Sequence, residues 1–592
     1  MASARTRERW PVVDRIAVRI WGMLALVTLQ ACGPAIPPVV APIPATPPSP
    51  LPISAEARLL EMLDQRRMDT ALVDGLLADT SAMLRARTAL AVGQNRIRLR
   101  YPVLRTLLTD GDTAIAANAA YALGIARDFE SVPALSRAVD GAPDAVAREA
   151  AWALGEMGEM GRSVILHALG EGVTAPVTQS PIAGRAPVVR AAMVVATVKL
   201  RNAPMHVITP WLADAAPEVA RSAAYVVARL RAPAGIRAMF AVASHPDEEI
   251  RQHAARAFAR SAAGDSLGSR ARDALRVLLR DESERVRINA TQSAASYGPL
   301  MAGELEERWR DPVRNVRVAL AEAFAEVAGG DAGRWQRAWD ADTMLAVRRL
   351  LLQHVRKRAL PLFAGVELQW ARSADWRYRV AALGNAERGA PMDSTVPRLL
   401  ENDSDHRVRR EARARLGIRE SAAPAGPRPT APVARPLSDY EVLVQRYWKR
   451  RESPRALVET EQGTITIELF ANEAPLVVEA FTRLAQTGKY RNTTFHRVVP
   501  NFVVQDGDIA NGDGAPEPPF TLRESWTRRR HGRGCVGLAT AGPDTGGSQF
   551  YFCHSTQPHL DGGYTVFGRV VEGFEVMDRL VQGDRMLQVR IP

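Results

Sequence analysis

Two stretches near the C-terminal end carry the residue types that chemistry needs. The first is Phe495-His496-Arg497-Val498-Val499-Pro500-Asn501-Phe502-Val503-Val504-Gln505-Asp506-Gly507-Asp508. It alternates apolar and polar residues over a strand length and stops at a Gly-Asp turn signal. Arg497 sits inside an apolar frame and Gln505 follows eight residues later. The second stretch is Ala541-Gly542-Pro543-Asp544-Thr545-Gly546-Gly547-Ser548-Gln549-Phe550-Tyr551-Phe552. An arginine offers five N–H donors in a fixed fork, so chemistry here would run by hydrogen bonding and charge. Taken alone, Arg497 reads as a surface ion pair and Phe502 and Tyr551 as ordinary core; the surrounding pattern argues against the first. A metal site from Cys535, Cys553, His554 and His559 is disfavoured. Cys553 and His554 are strand neighbours that point to opposite faces and do not readily ligate one ion. Cys535 and Cys553 are expected as buried free thiols rather than a disulfide.

The elements around these stretches are legible. Glu459 to Phe470 alternates as a strand pair around a turn at Gly463. Ala474-Pro475 opens a helix, with Pro where helices accept it. Gly537–Ala539 and Gln549–Cys553 read as strands around a Gly-rich loop.

In order, spacing and residue type, the two motifs resemble the cyclophilins, the peptidyl-prolyl cis–trans isomerases, from about Val458 to Val581. The resemblance implies a small closed β-barrel with two helices, and a reaction that needs no cofactor and no metal. Rotation about an amide costs about 18–20 kcal/mol because the C–N bond has partial double-bond character. A guanidinium aimed at the prolyl nitrogen localises its lone pair and lowers that barrier. By resemblance Arg497 takes this role and Gln505 holds the rotating carbonyl. Phe502, Val503, Tyr551 and Leu560 form the apolar proline pocket. The backbone of Thr540, with Gln549, fixes the peptide, and Tyr564 lines the site. Departures from the family pattern are His559 for the frequent Trp, which speaks against strong cyclosporin binding, and Val503 for a commoner Met. Tyr551 replaces Phe, so its hydroxyl must find a partner. Tyr564 replaces His, and Gly512–Pro519 lacks the usual Gly-Gly-Pro-Gly turn. Altered rate or preference is expected.

The rest of the chain is organised as a series of segments. The net charge of +12 invites a nucleic-acid reading, but from Arg455 onward there are 14 Lys+Arg against 16 Asp+Glu. The positive excess lies upstream, as Arg on helical faces, and no nucleic-acid partner is expected. Residues 1–31 have a basic start and an apolar run from Ile20 to Leu29, the form of a secretory signal. That run is too short to span a bilayer core, which needs about 20 residues. Leu29-Gln30-Ala31-Cys32 resembles a bacterial lipobox, with Cys32 as the lipidated residue. A lipid anchor to the membrane is therefore expected, on the periplasmic side of the outer membrane in a Gram-negative host. Residues 32–53 are a Pro-rich linker that reads as an extended stalk.

From 54 to 419 the chain repeats. The anchors Leu84, Ile115, Val146, Val189, Val219, Ile250, Val286, Val316, Val347, Tyr378 and Val408 recur every 30 or 31 residues, with one interval of 43 and one of 36. Gly93, Gly124 and Gly155 each close a helical pattern, which suits a helix end with positive φ. An Asp lies five residues before seven anchors, and an Arg directly follows eight. The Asp is expected to cap the second helix of its unit or to pair with that Arg in a ladder. The pattern resembles HEAT repeats and predicts an all-α solenoid of about eleven units. Insertions near Thr174–Ala186 and Ser261–Ser266 read as surface loops. Trp309, Trp335, Trp339, Trp370 and Trp376 read first as helix–helix core and second as an interaction surface. Residues 420–437 form a Pro/Ala linker. A lead-in helix over 438–454, opened by a capping box at Ser438 and Glu441, precedes the last domain, 455–592.

The leading expectation is an exported, lipid-anchored isomerase that acts on proline-containing segments of client proteins. Its array would bind clients or partners near the site. The other reading is a non-catalytic scaffold or chaperone that uses the last domain as a peptide-binding module.

Overall fold

The computed structural model describes residues 53–592, apart from 68, 173–176, 385–393, 419–434 and 510–520. The export signal, Cys32, the stalk, most of the 420–437 linker and the turn region 512–519 therefore lie outside the described residues.

Each of the eleven anchors is the third residue of a helix, from Leu84 in Ala82–Gln94 to Val408 in His406–Arg415. Ten are buried and Tyr378 is partly so. These helices stack on their counterparts in the next unit from Ala82–Gln94 to Leu345–Lys357, and the last two, Trp376–Leu383 and His406–Arg415, stack on each other around a separate apolar core, because a single unit is too small to bury its own apolar face. The Asp five residues before the anchor does not cap the helix. It accepts the N–H of the residue two positions on, as Asp281 does from Ser283 (2.9 Å) and Asp311 from Val313 (3.0 Å), and that later residue is the N-cap. The ladder is present. Arg251 pairs with Asp281, Arg287 with Asp311, and Arg379 with Asp403, each at 2.8 Å and each reaching the following unit.

The three repeat glycines have a different role from a helix end. Gly93, Gly124 and Gly155 lie inside their helices, and positive φ falls three residues later, at Arg96, Arg127 and Gly158. A Cβ at Gly93 would stand 2.6 Å from Ala122 Cα. One at Gly124 would stand 2.7 Å from Trp152 Cζ3. Close approach between successive inner helices excludes a side chain at both. The insertion at 261–266 is also not a loop: it extends the helix Arg260–Leu278. Ser438 lies within the helix Leu437–Leu443, whose N-cap is Pro436, so no capping box opens it. Trp309, Trp335 and Trp370 are buried, and Trp335 packs edge-on to Phe324.

The last domain is a nine-stranded antiparallel sheet with the helices Pro475–Gln486 and Phe574–Arg579. Its strands are β1 (Arg455–Thr460), β2 (Gly463–Leu469), β3 (Thr493–Thr494), β4 (Arg497–Val499), β5 (Val503–Asp506), β6 (Cys535–Leu538), β7 (Phe550–Cys553), β8 (Val566–Glu572) and β9 (Arg585–Arg590). The order is β3-β9-β1-β2-β8-β6-β7-β5-β4. The sheet curls into an open half-barrel, not the closed barrel expected. Its ends β3 and β4 do not pair. Phe495, which joins them, instead exchanges backbone hydrogen bonds with the turn at Gly583 and Asp584. The stretch 495–508 is likewise no single strand. It is the β4–β5 hairpin, turned at Asn501 with φ of 59°.

Array and last domain belong to one compact unit, and the inner helix layer packs on the domain along much of its length. Gln94 donates to Trp526 O at 2.9 Å and Tyr121 to Thr527 O at 2.7 Å. Asn501 donates to Asn289 Oδ1 at 2.9 Å and Asn315 to Leu580 O at 3.0 Å. Arg314 pairs with Asp584 at 2.7 Å and Arg377 with Glu461 at 2.9 Å. The first helix, Ile53–Gln65, packs on the lead-in helix Leu437–Leu443, where Tyr440 donates to Asp64 at 2.7 Å.

Gly124→Ala is expected to cost about 1–3 kcal/mol, the usual penalty of overpacking. Gly141→Ala, where nothing lies within 4 Å of the new methyl, should be neutral or slightly stabilising. Denaturant midpoints of the two variants check the contrast.

Candidate active site

The curled sheet sets the expected site residues in one row. Arg497 on β4 pairs with Gln505 on β5, Gln505 with Tyr551 on β7, and Tyr551 with Gly537 on β6. Residues directly opposite in a sheet share a face, so the guanidinium, the amide and the phenol stand side by side. Gly537 closes the row because a Cβ there would lie 2.2 Å from Tyr551 Cζ. The absent side chain is the space that the Tyr551 ring occupies.

Around this row Val503 and Tyr551 are buried with Phe470, Cys535, Cys553 and Val566, and Phe502, Leu560 and Tyr564 pack against them. Together they make an apolar surface beside the cation. The Arg497 guanidinium lies 5.5 Å from the centre of the Phe502 ring. Burial lowers its pKa from the usual value, and among the described residues no carboxylate forms an ion pair with it. A half-buried cation left without a counter-charge keeps its donors for a ligand. Gln505 Nε2 donates to Gln549 Oε1 at 2.9 Å, which fixes both amides at the rim. Thr540 Oγ1 donates to Glu524 Oε1 at 3.4 Å. Burial pushes the Glu524 carboxyl up to about 7.

The structure thus brings Arg497, Gln505, Phe502, Val503, Tyr551, Leu560, Tyr564, Gln549 and Thr540 to one region of the domain. Cys535 and Cys553 are both buried and unbridged. Burial, then the neighbouring thiol, pushes the Cys535 pKa well up. Among the described residues no group of three or more metal-ligating side chains is assembled.

Three contributors were not named from the sequence. His531 is one: its Nε2 lies 2.9 Å from the Tyr551 hydroxyl and its Nδ1 lies 2.9 Å from Asp561 Oδ1. Asp561 is the second, and together they supply the partner that the unusual phenol requires. The third comes from the array. The Tyr225 hydroxyl lies 3.4 Å from Nδ1 of His559, and the His559 ring stacks on Phe502 at 5.7 Å. Burial, with Arg229 and Arg256 nearby, drives His559 down to about 3, so this ring is neutral at ordinary pH. The extra hydroxyl of Tyr551 was the only signal in the sequence that pointed to His531. Nothing local pointed to Tyr225.

Comparison with known proteins agrees with this geometry. Residues 455–591 match the family model described as cyclophilin type peptidyl-prolyl cis-trans isomerase/CLD, and residues 70–155 match that of HEAT repeats. A peptidyl-prolyl cis-trans isomerase of Synechococcus elongatus is 43% identical over 23% of this chain and 95% of its own. One of Helicobacter pylori is 39% identical over 25% of this chain and 93% of its own. Peptidyl-prolyl cis-trans isomerase B of Bacillus subtilis is 43% identical over 22% of this chain and 90% of its own.

One titration beneath the row can be tested. Asp506 on β5 is fully buried, and burial pushes its carboxyl from 3.8 up to about 7. The folded state therefore holds a proton that the unfolded chain releases, and stability falls as pH rises from about 4 to about 7. Thr493 Oγ1 donates to Asp506 Oδ2 at 3.0 Å and the Gly507 N–H to Oδ1 at 2.5 Å; an amide keeps the second through its oxygen and donates its NH2 to Thr493 Oγ1, whose hydroxyl donates to Tyr490 O. Asp506→Asn is expected to flatten the melting temperature across that window and to raise it at pH 8. A pH series of thermal melts checks this.

Proposed function

The chain belongs to the cyclophilin-type peptidyl-prolyl cis–trans isomerases, and we propose that Arg497, Gln505 and the apolar surface beside them turn Xaa-Pro bonds of client proteins. The proline ring enters the pocket of Phe502, Val503, Tyr551 and Leu560, with Tyr564 at its edge. This places the prolyl nitrogen under the Arg497 guanidinium. Hydrogen bonding there holds the nitrogen lone pair out of the amide resonance that sets the barrier of about 18–20 kcal/mol. Gln505, held by Gln549, donates its second amide N–H to the moving carbonyl oxygen, and the Thr540 backbone anchors the flanking peptide. No proton is transferred and no bond is made or broken.

What carries this reading is the cross-strand row of Arg497, Gln505 and Tyr551, with a half-buried cation that no carboxylate pairs among the described residues. Arg497 is fitted to it by its planar fork, which a lysine does not reproduce. With full-length protein, Arg497→Ala should lower the acceleration of Ala-Pro isomerisation by about 100-fold or more, the usual effect of removing a donor aimed at the transition state. Arg497→Lys should recover little of it. No acceleration by either wild type or Arg497→Ala would favour the scaffold reading instead.

The clients are proposed to be exported proteins, on the strength of the basic start, the Ile20–Leu29 run and Cys32, and the enzyme to be lipid-anchored, in a Gram-negative host at the periplasmic face of the outer membrane. The array's inner layer is engaged with the isomerase domain, so a client or partner would meet its outer edge. Apolar side chains exposed at equivalent positions of four units support that place: Leu99, Phe129, Met160 and Leu300. Each stands in the short 3-10 turn that follows an inner helix.

A further inference from the structure

The Tyr551 phenol is connected, through four polar side chains, to the repeat array. Its hydroxyl lies 2.9 Å from His531 Nε2. On the other side of that ring, Asp561 Oδ1 accepts from the His531 backbone N–H at 2.8 Å and lies 2.9 Å from Nδ1. A carboxylate only accepts, so the proton of a neutral His531 sits on Nδ1. Nε2 is then an acceptor, and the Tyr551 O–H donates to it. The hydroxyl end of the phenol is thereby held twice, with Gly537 against it and His531 at its tip.

Arg530, the residue before His531, continues the chain. Its Nε stands 3.9 Å from Asp561 Oδ2, and its Nη2 donates at 2.6 Å to Glu149 Oε2. Glu149 belongs to the inner helix Asp144–Glu156 of the array, and its side chain is 0% exposed. Around it, Trp152 and Tyr121 of the array face the same guanidinium at 5.1 and 5.8 Å. Trp152 also lies against Gly562, where a Cβ would come within 2.4 Å of the indole and φ is +73°. The segment that carries Asp561 is therefore seated directly on the array.

We infer that Glu149, in the repeat array, is a positioning residue for the prolyl pocket, acting through Arg530, Asp561 and His531 on Tyr551. Arg530 is shared between two carboxylates, one from the array and one from the isomerase domain. Glu149 holds it at 2.6 Å and so keeps it at the longer distance of 3.9 Å from Asp561. Asp561 is then free to hold His531. Without the Glu149 charge, the partly buried cation has Asp561 as its nearest counter-charge among the described residues and draws it away from His531. His531 loses the acceptor that fixes its tautomer, and the Tyr551 hydroxyl loses a fixed partner. This deepens the isomerase reading and rests on it.

The test is a double-mutant cycle in the full chain. Glu149→Gln keeps shape and removes charge. It is expected to lower kcat/KM for an Ala-Pro peptide by about tenfold, but by no more than about twofold in a Tyr551→Phe background, because residues acting through one chain are not additive. Equal losses in both backgrounds would overturn the proposal, since a merely structural role for Glu149 does not depend on the Tyr551 hydroxyl. Circular dichroism and melting temperature establish folding. Should Glu149→Gln not fold, Glu149→Asp, which keeps the charge but shortens the reach, runs the same cycle with a smaller expected loss. A second readout is independent of turnover: the imidazole nitrogen resonances of selectively labelled His531. Wild type should show the Nδ1–H tautomer, and both Glu149→Gln and Tyr551→Phe should move the Nε2 signal. An unmoved Nε2 in Glu149→Gln would overturn the proposal as well. If His531 responds while no form of the protein isomerises a prolyl peptide, the isomerase reading fails and the positioning chain stands.

Discussion

A polar group taken out of water must find a partner or cost free energy, and where array and isomerase domain meet, many find it across the boundary. The Tyr121 hydroxyl is satisfied by Thr527, the Asn315 amide by Asp578 and Leu580, and the Asn501 amide by Asn289 and Arg285. Charges behave the same way at Glu149 and Arg530, Arg314 and Asp584, and Arg377 and Glu461. Separation would expose or orphan both sides of each pair. The array is consequently part of the folded environment of the isomerase domain, and its arginines are mostly committed. Some form the inter-repeat ladder with the array's own aspartates and others reach carboxylates of the domain.

The catalytic row follows from a different constraint. Strand register sets Arg497, Gln505, Tyr551 and Gly537 opposite one another, and register is dictated by the tight β4–β5 turn at Asn501. In that row the large phenol fits only because the residue opposite has no side chain. The phenol brings a hydroxyl into a buried place, which demands His531, and His531 in turn demands Asp561 to settle its tautomer. One unusual side chain thus entails the polar groups behind it.

How much of this was legible depended on the range over which the signal acted. The eleven anchors were readable because each repeat imposes the same buried position on its third helical residue. The Arg–Asp ladder was readable because both members recur at fixed offsets. Gly93, Gly124 and Gly155 were found but misread. Glycine at a helix end and glycine under a crossing helix look alike until the neighbour is placed, and Trp152 and Ala122 are the neighbours. The closed barrel failed for a related reason: local alternation gives strands, but closure depends on whether β3 and β4 meet, and Phe495 pairs elsewhere. Tyr225 beside His559 was invisible, because 334 residues separate them and no local pattern records that contact.

Solenoids ordinarily change length easily, since each repeat touches only its neighbours and a unit gained or lost shifts nothing else. Here the first helix packs on the helix that follows the array, and the successive inner helices between them meet different parts of the isomerase domain. The number of repeats is therefore set by the circumference of what they enclose. Duplication or loss of one unit before them would put the later contacts, from Asn289 to Arg377, one partner out of step. An array of this kind diversifies through its outer edge and its insertions, while its count stays fixed as the size of a ring is fixed by the finger it fits.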